Sequence, residues 1–541
     1  MLFRSYAEVK VHQDELNDLI LTDTAGNLDG FALAYDAVRN GSGNIVCAVN
    51  QTTVTRPDCV PINLFGNGQP TAAALRFVNT TSFVDSKATE LDVLAFVSGD
   101  LSQLFELQGG PIRFSIGSEF RRETARQSAD PRSAAGGTFF NAFQPFNPPA
   151  FEVKEVFGEL EIPLLKDVAF AQELSISGAA RYSDYNTPAD KTFAWNVGGT
   201  YAPIHDLRFR VNYSHSVRVP TIGDLYSPAS QNFAQIADPC DVLNIGNGTT
   251  TRRANCLALG VPIGFVNTPA RTASTGFLSS GNPFLQEETS RSFTAGAVFQ
   301  PSFLPGFSFS ADYYNIQVNN LIAVLGAQTI LNQCVDLPSI NNQFCALLRP
   351  RNPDSTFASP ALLSAGVNYA KFRARGVDFQ SDYTHRFSGG VKIDLHAVAT
   401  YVIERDNFTS PTDPTFKDRI LGELGDPKWA ANFSATVTAN QFKLRWSANY
   451  VSKQTIGAYE NYFSVDGRPP QNADLTNERF YPAQMTHDLR LEFLPTPKFT
   501  FYIGMDNVFD SLPPFGLLGN EGGNPYDSIG RFVYAGFKAS Y

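Results

Sequence analysis

Apolar and polar residues alternate one by one through segment after segment of this chain. In Val391–Glu404 the residues Val391, Ile393, Leu395, Ala397, Ala399 and Tyr401 fall on one side, and Lys392, Asp394, His396 and Thr400 on the other. In Phe442–Ser452, Phe442, Leu444, Trp446, Ala448 and Tyr450 oppose Lys443, Arg445, Ser447 and Asn449. A period of two is a β-strand whose two faces meet different surroundings. The pattern recurs in Leu2–Val11, Glu90–Asp100, Pro111–Arg122, Phe151–Ile162, Glu173–Asp184, Thr192–Tyr201 and Leu207–Val217. It continues in Thr289–Gln300, Phe307–Val318, Asn368–Thr384, Lys428–Thr438, Gln484–Leu494, Phe499–Asp506 and Gly530–Tyr541. This predicts about sixteen strands of roughly ten residues, the length that crosses a bilayer at a tilt. The last of them uses the chain to its end, and a strand edge so placed calls for a partner, which a closed barrel supplies.

The connections sharpen the expectation. Counted back from the C-terminus they alternate: Asn507–Ile529 is long and Pro495–Lys498 short, Lys453–Ala483 long and Ala439–Gln441 short, Arg405–Pro427 long and Ser388–Gly390 short. Asn319–Val367 and Arg218–Glu288 are long, Pro301–Gly306 and Ala202–Asp206 short; Tyr185–Lys191 is brief where a long loop is due. Long extracellular loops and short periplasmic turns are the parity of outer-membrane barrels. The expected fold is therefore all-β, a transmembrane antiparallel β-barrel. Its apolar face meets lipid, and its charged lumen holds water or an inserted polar domain.

Composition agrees. Phe 45 and Tyr 20 against Met 3, with Gly 41 and Pro 34, favour strands and turns over helices. No run approaches the ~18 apolar residues of a spanning helix. A net charge of −10 argues against nucleic acid as a partner. The start, Met1 to Lys10, lacks the apolar core and cleavage site of a signal peptide. Six cysteines fall into three close pairs, Cys47 with Cys59, Cys240 with Cys256 and Cys334 with Cys345, all in predicted extracellular loops. Local disulfides in an oxidising compartment are expected, with sequence proximity the warrant among about fifteen formal pairings. A zinc site is the rival, disfavoured by scarce His and the lack of any Cys-x-x-Cys.

Several stretches resemble the TonB-dependent outer-membrane receptors. Tyr213–Pro220 followed by Gly223-Asp224-Leu225-Tyr226 is similar to the family's mid-barrel motif, and Gly281–Ser290 to one that precedes a strand. Asp506-Asn507-Val508-Phe509-Asp510 resembles its penultimate-strand motif, and Tyr526-Asp527 with Gly530-Arg531 its C-terminus. Cys59–Gly66 is similar to a loop of one large subgroup. The resemblance implies a barrel of 22 strands, and implies that the terminal aromatic strand, with Phe537 and Tyr541, closes the barrel and serves as an assembly signal. It further implies an outer-membrane location and a partnership with the TonB energy-transducing complex through a plug. Signal peptide, TonB-contacting segment and plug are not present in this sequence. Residues 1–541 are therefore expected to be the N-terminally incomplete barrel portion of a receptor, whose last strand lacks its first-strand neighbour.

The implied function is energised uptake of a scarce solute, siderophore-iron, cobalamin, haem or an oligosaccharide; a passive porin-like channel and a non-transporting adhesin are the alternatives. No enzyme and no cofactor is expected. His12, His205, His215, His385, His396 and His487 are scattered, and Glu287-Glu288 are adjacent strand residues facing opposite ways. Asn341-Asn342 and Gly519–Asn524 read as solvated loops rather than calcium sites, lacking Asp-x-Asp spacing. Phe265, Phe277, Phe344, Tyr459 and Tyr462 in the long loops are candidates for touching a solute, or for the interfacial aromatic girdle.

Overall fold

The computed structural model describes residues 2–12, 18–19, 30–67, 69–138, 144–410, 415–477, 479–512, 526 and 529–540. A nineteen-stranded sheet dominates it. Three of its strands, Ser230–Ala234, Thr275–Ser280 and Asp418–Arg419, are short pieces belonging to connections. The remaining sixteen form the wall. They are β1 (Leu2–His12), β2 (Phe83–Asp100), β3 (Arg113–Ala129), β4 (Phe151–Val168), β5 (Ala171–Tyr185), β6 (Lys191–Ile204), β7 (Leu207–Arg218) and β8 (Glu288–Phe299). Then come β9 (Phe307–Val324), β10 (Leu363–Arg386), β11 (Lys392–Phe408), β12 (Trp429–Ala439), β13 (Phe442–Val451), β14 (Gln484–Thr496), β15 (Phe499–Asp506) and β16 (Phe532–Ala539). Each is antiparallel to the next in the chain, from β1 against β2 to β15 against β16. All sixteen predicted strands are present. Many run longer than the alternation suggested, β2 and β10 most of all.

Register fixes what each face holds. Ala435 lies opposite Trp446, Val437 opposite Leu444, and Leu444 opposite Leu491. Ile503 lies opposite Ala535 and Phe501 opposite Phe537. These residues form a band of large apolar side chains with no protein cover: Leu444 is 46% exposed, Ile503 54% and Phe537 72%. Such a band is the lipid face of a membrane barrel. No helix among the described residues is long and apolar enough to cross a membrane. The other face carries cross-strand polar pairs. Arg210 reaches Asp312 at 2.7 Å, Lys443 lies 3.5 Å from Glu492, and the Thr400 hydroxyl donates to Asp378 at 2.7 Å. Where tyrosines line this face, glycines make room for them. Tyr502 lies opposite Gly536 and Tyr534 opposite Gly504, and a Cβ on either glycine would overlap the tyrosine ring.

The short turns hold Asn440, Gln441 and the 497–498 pair on one side. The long connections 219–287, 325–362 and 452–483 leave from the other. The largest packed core sits in these connections and not inside the wall. Tyr541, Asp527 and Gly519–Asn524 lie outside the described residues.

Candidate ligand-capture face

The two connections 219–287 and 325–362 form one lobe at the extracellular end. They read as loops in the sequence, but each carries a helix, α1 (Arg252–Ala258) and α2 (Ala327–Asp336). Ile330, Leu331, Cys334 and Val335 of α2 pack with Ile236, Cys240, Cys256, Val261 and Phe344, all buried. Disulfides join Cys240 to Cys256 and Cys334 to Cys345, each within one connection. Cys47 and Cys59 are joined in the 13–82 connection.

Two buried ion pairs tie one connection to the other. Arg252 Nε donates to Asp336 Oδ1 at 2.7 Å, and Nη1 to the Asn244 carbonyl at 2.9 Å. Arg351 Nη1 and Nη2 donate to the two Asp238 oxygens at 2.7 and 2.8 Å, with the guanidinium over the Phe357 ring. Such bidentate pairs hold only in a fixed arrangement. The lobe is also anchored to the wall, since Thr275–Ser280 pairs in parallel with the start of β10.

The sequence motifs locate the anchors. Thr221 caps the short helix Ile222–Tyr226, with Asp224 completing a capping box. Burial works to raise the Asp224 carboxyl, but its bonds from Thr221 and the Arg218 charge hold it below the usual value. Arg218, at the end of β7, reaches both Asp224 and Glu288, the first residue of β8. Asn282 N donates to the Asp224 carbonyl and Gly281 N to that of Ser227. A Cβ at Gly281 would lie 2.6 Å from backbone atoms of Leu225, Tyr226 and Ser227, so only glycine fits. The mid-barrel motif and the Gly281–Ser290 motif are thus two halves of one clamp at the foot of the lobe.

A second clamp holds the penultimate strand. Asn507 is buried at φ 49°, its side chain accepting from Ser511 N at 2.8 Å and donating to the Ser511 carbonyl at 2.9 Å. Its own N–H donates to Asp488 on β14, while Asp510 accepts the Arg531 N–H at 2.8 Å. Asn tolerates this left-handed backbone while its amide replaces a turn hydrogen bond.

Below the lobe, a concavity of about 650 Å³ in the wall across β7 to β13 is lined by Arg210, Asp312, Asp378 and Asn432 together with apolar residues such as Phe379 and Val398. Its lumen-facing polar residues are paired, Arg210 with Asp312 and Asn432 with Asn449, which suits a hydrated solute or a polar domain.

The TonB dependent receptor-like, beta-barrel family model matches residues 21–508. The chain belongs to this family. It is an outer-membrane barrel protein, of a family of receptors and transporters. A mutant ferric enterobactin receptor from Pseudomonas aeruginosa, in complex with enterobactin, is similar with TM-score 0.53 at 12% identity, covering 100% of this chain and 60% of that one. The siderophore receptor PirA from Acinetobacter baumannii is similar with TM-score 0.52 at 12% identity and the same coverages. These likenesses establish the fold, and the chain spans about 60% of the length of the solved receptors it matches. No curated protein matches it.

Within this receptor barrel the candidate residues separate. Phe344 is buried in the lobe, edge-on to Tyr369, and Phe265 and Phe277 pack against the same core. Tyr462 is buried with its hydroxyl donating to the Ile456 carbonyl at 2.6 Å. These four are loop-core residues; Tyr459 alone of the five faces a crevice. His396 pairs with Asp382 across the wall at 2.6 Å, and Glu288 is engaged by Arg218. Phe537 lies on the lipid-facing side of β16. Sequence reasoning missed Arg252, Asp336, Asp238 and Arg351, whose partners lie 84 and 113 residues away with no local pattern to mark them.

Proposed function

We propose that this chain is the barrel portion of a receptor that captures a scarce solute at its loop lobe and passes it through the lumen with energy from TonB. Family membership across residues 21–508 carries the reading. The lobe supports it, since two disulfides and two buried ion pairs give a rigid capture surface, whereas a passive channel gains nothing from one. The polar lumen wall is the surface on which a plug domain of the complete receptor would sit, and through which it would transmit force. A ferric siderophore is the first solute to test, because the solved neighbours bear the titles of siderophore and ferric enterobactin receptors.

The test is uptake of labelled ferric enterobactin, cobalamin, haem and a maltooligosaccharide in cells expressing the complete gene, with and without TonB. Saturable uptake of one solute that disappears without TonB supports the proposal. Uptake that is non-saturable and independent of TonB makes the protein a channel. Tight surface binding with no uptake makes it an adhesin.

A further inference from the structure

The connections 13–82, 219–287 and 325–362 are each stapled by a disulfide, while 409–428 and 452–483 contain no cysteine. The connection 409–428 doubles back on the strand it leaves. Its short strand Asp418–Arg419 pairs with β11, Asn407 lying opposite Asp418 and Asp406 opposite Arg419. This return brings Lys417 onto two carboxyl groups that β11 presents two residues apart. Lys417 Nζ lies 3.1 Å from Asp406 Oδ2 and 3.9 Å from Glu404 Oε1. Asp406 is 2% exposed and its Oδ2 has no hydrogen-bond partner, so the ammonium rests against the carboxyl group outside hydrogen-bonding geometry. Glu404 is held from its other side by Arg375 at 2.5 Å and Arg373 at 3.4 Å.

A lysine, an aspartyl carboxyl and a second carboxylate thus meet out of water, and those are the parts that amide formation between side chains requires. Two carboxyl groups facing one ammonium in a closed site share a proton. The two arginines keep Glu404 charged, so that proton belongs to Asp406, whose hydroxyl can then leave. Glu404 takes a proton from Lys417, and the freed Nζ lone pair bonds to Cγ of Asp406. As the Cγ–O bond breaks, the hydroxyl accepts a proton from Glu404, which regains one from the nitrogen, and departs as water. A C–N bond replaces a C–O bond, nothing is oxidised, and no co-reactant enters. A cavity of about 220 Å³, lined by Ile403, Leu421 and Val465 as well as the three reacting groups, gives the released water room.

We propose that Lys417 and Asp406 join in an isopeptide bond, with Glu404 as proton carrier, stapling residues 406–417 as disulfides staple the other connections. The protein is purified from outer membranes, digested with trypsin and read by mass spectrometry. Trypsin cuts after Arg405 and Arg419 but not after an acylated lysine. Wild type should therefore give residues 406–419 as one peptide, lighter than its sequence by one water, and no 406–417 peptide. Lys417→Arg keeps the charge without the amine and should release 406–417 at full mass. Glu404→Gln leaves both joining groups in place and should form the bond about a hundredfold more slowly, followed as the linked fraction against time after refolding. Release of the 406–417 peptide at full mass from wild type would overturn the proposal and leave a buried ion pair. So would a water loss that persists in Lys417→Arg, which reports a cyclised side chain instead. Equal rates in wild type and Glu404→Gln would overturn the role given to Glu404.

Discussion

Removing Asp336 should open the extracellular lobe while leaving the barrel wall intact. In Asp336→Ala the Arg252 guanidinium loses two donated bonds, at 2.5 and 2.7 Å, and stays in a site where its side chain is only 6% exposed. Thr249 loses acceptors as well, since its N–H donates to Asp336 Oδ1 at 3.2 Å. Stranding one charge of a buried pair costs about 3–5 kcal/mol. At ~1.4 kcal/mol per tenfold, that raises the open population of the lobe by about a hundredfold to a few thousandfold. Hydrogen exchange read on peptides from α1 and α2 should quicken by that factor, while peptides from β12 to β15 keep their protection. Arg252→Met/Asp336→Leu removes both charges and keeps the volume, so it should recover most of the loss. Exchange in Asp336→Ala within tenfold of wild type would refute the reasoning. A double variant as open as the single one would do so too, by tracing the loss to packing.

Three further outcomes are expected. Asn507→Ala should cost about 2–4 kcal/mol, from two lost side-chain bonds in a buried site and a left-handed backbone that alanine disfavours, read as a lower temperature for loss of the heat-modifiable band on gels. Gly281→Ala should destabilise the lobe foot by about 1–3 kcal/mol, because its Cβ meets unyielding backbone; proteolysis between residues 219 and 287 checks it. Burial, together with Asp418, Glu460 and Asp426, pushes the Glu423 carboxyl up to about 7 against the opposing bond from Tyr459 N–H. The folded loop therefore holds an extra proton between the ordinary value of 4.5 and about 7, and its stability should fall as pH rises through that window. The drop should be about 1–2 kcal/mol, allowing for solvent screening, and Glu423→Gln should flatten it, as judged by exchange of the 420–427 backbone at pH 5 and pH 8.

The wall was legible because a strand writes its surroundings into a period of two, and sixteen alternating runs were found where sixteen strands lie. The family motifs were legible for a different reason. Each works locally, as a cap, a turn or a glycine contact, so its residues keep fixed spacing. The lobe was not legible. Arg252 and Asp336 owe their meeting to two connections folding over each other, and α2 buries five residues against partners from both connections. The one local signal was the i, i+3, i+4, i+7, i+8 spacing of Ala327, Ile330, Leu331, Cys334 and Val335 in α2, hidden among surrounding Asn, Pro and Thr that read as loop.

The outer rim shows how one residue can end a pattern. On β10, Val377 and Phe379 belong to the lipid-facing row, and Arg375 and Arg373 continue the same face without interruption. On β11 the register slips, so that Gly376 pairs with Val402 but Arg375 pairs with Glu404. The extra residue, Ile403, is a β-bulge, and it moves Glu404 and Asp406 onto the face that Tyr401 occupies lower down. Simple alternation puts Glu404 with Lys392 and His396 on the lumen side. The bulge instead gives Arg373 and Arg375 their carboxylate, at 3.4 and 2.5 Å, and turns the outward surface from apolar to charged within two residues. That change marks the upper limit of the hydrocarbon on this side of the barrel.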